Sequence, residues 1–98
     1  MIKMDNTEII TIRDEIDRLD ETIIKLLAKR DENAKRIALI KKKGSLAIAN
    51  KEREEELFDR IRTKAKENMI DGQFITELFK RIVEHSKKVQ KIEEDKND

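Results

Sequence analysis

An unbroken amphipathic stretch from residue 7 to residue 43 constrains the fold of this chain more than any other feature. The stretch contains no proline, and its apolar residues recur at alternating steps of three and four. These residues are Ile9, Ile12, Ile16, Leu19, Ile23 and Leu26 and, after polar residues at the next two seam positions (Arg30 and Asn33), Ile37 and Ile40. This spacing is typical of an apolar seam that faces a partner helix. We therefore predict one helix of about 55 Å, at 1.5 Å per residue.

A helix of this length is longer than a single domain of 98 residues can cover. A small domain is about 30 Å across, so the helix extends beyond any bundle that one chain forms. Its seam needs a partner of comparable length, and the other predicted helices are shorter. A second copy of the chain is the natural source of that partner. The pattern predicts an all-α, three-helix chain with a very long first helix, in a helical homodimer.

Two shorter helices follow, and each has a recognisable N-cap. Asn50 is expected to cap a helix over about 51–68, and Asp71 a third helix over about 72–92. Residues 44–49 and 68–72 are predicted to be the connections. We expect one domain over 1–98 with a core over about 7–92, and a frayed polar tail over 93–98. The apolar faces consist of Leu57, Phe58, Ile61 and Ala65, and of Ile75, Leu78, Phe79, Ile82, Val83 and Val89.

The composition excludes several classes of function. Charged residues make up 46% of the chain, but the net charge is +1 with both signs interspersed, so no nucleic-acid-binding surface is predicted. No apolar run reaches the roughly 18 residues of a membrane span, and no signal peptide is evident. There is no cysteine, no metal-ligand cluster and no Gly-rich phosphate loop. His85 is expected to be a surface or interface residue, and the chain a cytoplasmic protein.

Cations interrupt the pattern of the first helix. Arg30 occupies a position where the seam calls for Leu or Ile. Lys41 lies eleven residues further on, about 20° beyond three full turns, so both side chains lie on one face. Arg13 lies about 100° away and about 25 Å along the axis. One small ligand therefore contacts both Arg13 and Lys41 only if the two residues come from different chains, with Arg13 on an antiparallel partner helix.

The other two helices show similar interruptions. Arg53 and Glu54 lie one turn before Leu57 and Phe58, and Ser86 and Gln90 continue the four-residue spacing that starts at Ile82. Each polar residue alone has an ordinary explanation, as a solvated side chain, a first helical turn or a helix end. Together they favour a pocket, because buried unpaired charges are costly. Its donors suit an anion with more than one carboxylate or phosphate, and Glu54 suits a hydroxyl.

These residues resemble the active-site set of the all-helical (AroQ-class) chorismate mutases. The resemblance covers about residues 7–92 and also extends to the mutase domain of the bacterial bifunctional enzymes. It implies an intertwined homodimer of three-helix chains with two sites, in which each site borrows Arg13 from the other chain. It implies neither a cofactor nor a metal. The segments that carry it are IRDEIDRLD (12–20), LLAKR (26–30), KERE (51–54) and IVEHS (82–86).

The resemblance implies a role for each site residue. The catalytic residues would be Lys41, Gln90, Arg30 and Glu54. Arg30, with Arg13 of the other chain, would bind the substrate carboxylates. Lys41 and Gln90 would donate hydrogen bonds to the ether oxygen, and Glu54 would accept one from the ring hydroxyl.

Arg53 and Ser86 would line the carboxylate end of the site implied by this resemblance. The sequence departs from the family pattern at two positions. Asn50 stands where Asp is common and Ala47 where Pro is frequent. Asn50 is still expected to cap its helix and to lie at the substrate site, without the carboxylate contact to the hydroxyl.

The implied activity is the conversion of chorismate to prephenate in phenylalanine and tyrosine biosynthesis. This Claisen rearrangement needs neither a nucleophile nor a general base, and the sequence offers no such constellation. Two alternatives remain open at this point. One is isochorismate pyruvate lyase activity on the same scaffold, and the other is a helical dimerisation module without enzymatic activity.

Overall fold

Three α-helices make up nearly all of the chain in a computed structural model that describes residues 2–44 and 50–96. They are α1 (Ile2–Gly44), α2 (Lys51–Glu67) and α3 (Gly72–Asp95). The all-α, three-helix prediction is confirmed. Helix α1 begins five residues before the predicted start, since residues 2–6 contain neither proline nor glycine to stop it. Most of the predicted first loop, including Ala47, lies outside the described residues.

Side-chain caps fix where α2 and α3 begin. Asn50 Oδ1 accepts a hydrogen bond of 3.1 Å from the backbone N–H of Arg53. Asp71 Oδ1 accepts from the N–H groups of Gln73 and Phe74, at 2.9 and 3.4 Å. Each cap satisfies amide groups that have no partner within the helix itself. Both caps were predicted from the sequence.

The C-terminal part of α3 differs from the prediction. The helix continues to Asp95, so residues 93–95 are helical and not a frayed tail. Lys91 Nζ lies 3.3 Å from Asp95 Oδ1, and Lys96 Nζ lies 3.4 Å from Glu93 Oε1. These pairs, spaced three or four residues apart, each support the last turn by a few tenths of a kcal/mol, about 0.3.

The Asp71 cap gives a prediction for stability. Asp71→Ala is expected to lower the free energy of unfolding by about 1 kcal/mol, because two amide groups lose their acceptor. Asp71→Asn is the matched control, since its side-chain oxygen still caps the helix. Urea denaturation at one fixed protein concentration measures the difference. Equal unfolding midpoints for Asp71→Ala and the unaltered chain would contradict the assigned role.

The chain divides into two compact units, Met1–Glu32 and Asn33–Asp98. The first unit is the larger part of α1, and it contains the apolar seam up to Leu26. All six seam side chains from Ile9 to Leu26 are between 45% and 62% exposed in the single chain. The seam therefore remains available from Ile9 to Leu26.

The core lies in the second unit and is small. Helices α2 and α3 pack against each other as a hairpin joined by the turn at residues 68–71, in which Met69 has a φ of +54°. Among the described residues no large side chain is fully buried. Within the described part of the chain, no helix is long and apolar enough to span a bilayer. The buried apolar residues are Ala34, Ala38, Leu57, Ile61 and Ala65.

The burial of α1 within the second unit refines the predicted seam. Ala34 and Ala38 are 5% and 0% exposed, whereas the seam residues Ile37 and Ile40 remain 44% and 65% exposed. The single chain thus covers the alanine face of α1, where short side chains allow close packing. The face that carries Ile37 and Ile40 remains exposed to solvent. The seam residues of the first unit are exposed to a similar degree.

Candidate active site

The helical hairpin changes from apolar to polar where α2 begins. Glu54 lies in the first turn of α2, and Lys87 of α3 extends to it, with Nζ 2.5 Å from Glu54 Oε1. This oxygen has almost no solvent exposure, and its charged partner is the ammonium group of Lys87. A carboxylate oxygen has two lone-pair sites, so Oε1 can accept a hydrogen bond from a further donor while Lys87 stays in contact with it.

Helix α3 has further polar side chains near the start of α2, at the same end of the second unit. Ser86 is its one buried residue, at 9% exposure. Gln90, one turn later, is half-buried, and within the described ranges its buried Oε1 has no hydrogen-bond partner. Rotation of this amide by 180° exchanges the oxygen with the nitrogen, so the same buried place can present a donor. A buried polar group without a partner costs about 1–3 kcal/mol, so the site has hydrogen-bonding capacity for a ligand.

The C-terminal end of α1 meets this end of α3. Lys42 Nζ donates a hydrogen bond of 2.8 Å to the carbonyl oxygen of Lys96. The neighbouring Lys41 is half-buried and follows Ala34 and Ala38 at helical spacing on the buried face of α1. Lys41 thus lies at the same end of the second unit as the polar part of α3.

The two remaining predicted residues of the second unit lie closer to solvent. Asn50 and Arg53 are exposed. Asn50 uses its side-chain oxygen for the α2 cap, so Asn at this position maintains the helix start.

Arg13 and Arg30 belong to the first unit, Met1–Glu32. Arg13 is exposed and Arg30 is half-buried. The second unit thus contains Lys41, Glu54, Ser86 and Gln90 at one end, while the two predicted carboxylate-binding arginines lie on the other part of α1. His85 is exposed, as expected for a residue at the surface.

Sequence reasoning missed two polar residues of α3. Lys87 continues the spacing of Phe79 and Val83, and Glu94 continues that of Ser86 and Gln90. Glu94 is half-buried, and its buried Oε2 has no hydrogen-bond partner in the described part of the chain. Extending both four-residue spacings by one more turn would have identified these two side chains.

Comparison with known proteins assigns the chain to a family. Residues 12–91 match the family model for chorismate mutase type II. The chain belongs to the type II chorismate mutase family. The match includes every site residue predicted from the sequence, from Arg13 to Gln90.

Named relatives of this family share much of the sequence. A chorismate mutase of Methanocaldococcus jannaschii is 40% identical over 88 residues, which are 88% of this chain and 89% of that protein. The bifunctional chorismate mutase/prephenate dehydratases of Buchnera aphidicola (from Acyrthosiphon pisum) and Escherichia coli K12 are 35% and 33% identical. Those alignments cover 88% and 80% of this chain, but only 22% and 20% of the bifunctional proteins. The chain thus spans about a fifth of the bifunctional relatives.

Proposed function

We propose that this chain is a chorismate mutase that converts chorismate to prephenate in phenylalanine and tyrosine biosynthesis. The observation that supports this best is the polar end of the second unit. There, buried oxygens of Glu54 and Gln90 have unused hydrogen-bonding capacity in a chain of the type II chorismate mutase family. The 40% identity to the M. jannaschii chorismate mutase, over 89% of that protein, supports the same activity.

The proposed reaction requires the site to hold a flexible dianion in a compact conformation. The rearrangement is unimolecular, so positioning the reacting carbon atoms close together supplies much of the rate enhancement. As the carbon–oxygen bond breaks, negative charge builds on the ether oxygen. The ammonium group of Lys41 and the amide N–H of Gln90 would stabilise that charge. Such donors act most strongly on the transition state when the protein has oriented them beforehand.

The remaining residues of the proposed site would bind the rest of the substrate. Arg30 would hold one carboxylate, and Arg53 and Ser86 would line the carboxylate end. Glu54 Oε1, which is buried and still open to a donor, would accept the hydrogen bond of the ring hydroxyl. Arginine is suited to the first task because its planar guanidinium forms paired hydrogen bonds with a carboxylate.

The second carboxylate would be bound by Arg13 of a second copy of the chain. The exposed seam from Ile9 to Leu26 supports the proposed homodimer, since a contiguous apolar stripe of that length is unfavourable in water. In such a dimer, each of two sites takes Arg13 from one chain and its other residues from the other chain.

A comparison of two substrates tests the proposed activity. Incubation with chorismate is expected to lower its ultraviolet absorbance and to yield prephenate, while isochorismate yields no salicylate. Lys41→Ala, purified in the same way, is the control against a contaminating mutase. Salicylate formed from isochorismate, with chorismate unchanged, would instead indicate the lyase. A stable dimer inert towards both substrates would indicate a dimerisation module.

A further inference from the structure

The ion pair between Lys87 and Glu54 joins α3 to α2 at the polar end of the hairpin. We propose that Lys87 is a positioning residue of the mutase reaction, which holds the Glu54 carboxylate in place to accept the ring hydroxyl of the substrate. This inference rests on the proposed function. The two side chains are 43% and 28% exposed, and their charged atoms lie 2.5 Å apart.

The first argument concerns the position of Lys87. It directly follows the buried Ser86 and lies three residues before Gln90, on a helix whose apolar stripe includes Phe79 and Val83 four residues apart. An apolar residue at this position would continue the packing against α2. The chain has a cation there instead, and that cation is directed at a residue of the proposed site.

The second argument concerns charge. The proposed substrate carries two carboxylates, and an uncompensated third carboxylate at Glu54 would repel it. The ammonium of Lys87 neutralises Glu54 locally, while the carboxylate remains a strong acceptor. A carboxylate oxygen has two lone-pair sites, so contact with Lys87 leaves the buried Oε1 able to accept a further hydrogen bond. Lys87 thus fixes the carboxylate without replacing the substrate hydroxyl.

The third argument distinguishes Lys87 from neighbouring cations. Lys51 and Lys80 line one surface groove together with Glu54, but Lys87 is the residue whose Nζ lies against the Glu54 carboxylate in the described chain. Lys80 lies two turns before Lys87 on the same side of α3. It therefore offers a matched control with the same side-chain chemistry on the same helix.

Steady-state kinetics with chorismate test the inference. Lys87→Met keeps the length of the side chain and removes its charge. We expect it to raise KM about tenfold, as loss of a partly exposed charge-assisted contact would, and to change kcat by less than about twofold. The hydroxyl contact is similar in the ground state and the transition state, so its weakening acts mainly on KM. Lys87→Arg is expected to restore KM to within about threefold, and Lys80→Met to leave both constants unchanged.

A double-mutant cycle shows whether Lys87 acts through Glu54. In a Glu54→Gln background, adding Lys87→Met is expected to cause no further rise in KM. Kinetic constants of Lys87→Met equal to those of Lys80→Met would overturn the inference. A lower kcat at unchanged KM would also overturn it, since this is the result of a smaller folded fraction. In both cases the unaltered chain still turns over chorismate, and the proposed function stands. An unaltered chain without turnover would contradict the proposed function and the role of Lys87 with it.

Discussion

Lys41→Ala is expected to reduce kcat/KM for chorismate by about 10²- to 10³-fold while the helical fold is retained. Lys41 is half-buried at the end of the alanine face of α1. In the proposed mechanism its ammonium group meets charge that exists on the ether oxygen only as the bond breaks. Because that interaction is stronger in the transition state than in the ground state, most of the loss is expected in kcat.

The neighbouring Lys43 provides the control for Lys41. It is exposed and lies in the same last turn of α1. Lys43→Ala removes the same charge from the same turn and is expected to retain full activity. Circular dichroism and sedimentation should give identical helix content and mass for both variants. Activity of Lys41→Ala within about threefold of the Lys43→Ala value would contradict the proposed catalytic role.

Arg13→Ala is expected to produce the second large effect, a loss of about 10²-fold in kcat/KM, as expected when a buried charge-assisted carboxylate contact is removed. In the single chain Arg13 is exposed and lies in the first unit. A large kinetic effect from such a residue is explained only if a second copy brings it to a site.

Arg18→Ala is the matched control for Arg13→Ala. Arg18 is also exposed on α1, and it lies away from the apolar seam. It is expected to have unchanged kinetics, because no role in the site is proposed for it. If Arg13→Ala and Arg18→Ala have the same kcat/KM, the proposed transfer of Arg13 between chains is wrong.

Local rules were sufficient to predict the helices. The alternating steps of three and four identified α1, and Asn50 and Asp71 identified the starts of α2 and α3. These features depend on residues that are close in sequence, so no tertiary information is needed. The end of α3 was predicted less accurately. The ion pairs in its last turn stabilise the helix only slightly, so the sequence gives no strong signal for the residue at which the helix ends.

Contacts between distant elements were not predictable in the same way. The Lys87–Glu54 pair depends on the rotation of each helix about its axis within the hairpin, which spacing along one helix does not determine. The burial of Ala34 and Ala38 was missed for a related reason. Small residues give a weak apolar signal, although they allow the closest helix packing.

The candidate site was only partly predictable from physical principles. Spacing identified Arg30, Lys41 and Gln90 as polar residues on otherwise apolar faces, and the structure shows all three half-buried. Their individual roles came from the family resemblance, since several anionic ligands suit the same set of donors. The open acceptor of Glu54 became visible only with the side chains in place.

Mixing two inactive variants tests the shared site most directly. Arg13→Ala and Lys41→Ala chains, unfolded together at equal concentration and refolded, should form heterodimers as half of all dimers. Each heterodimer would contain one site with both defects and one intact site. Recovery of about a quarter of the activity of the unaltered protein is therefore predicted for a dimer whose sites share Arg13. If the mixture has no more activity than the average of the two variants alone, each site takes Arg13 and Lys41 from one chain, and the proposed arrangement is contradicted.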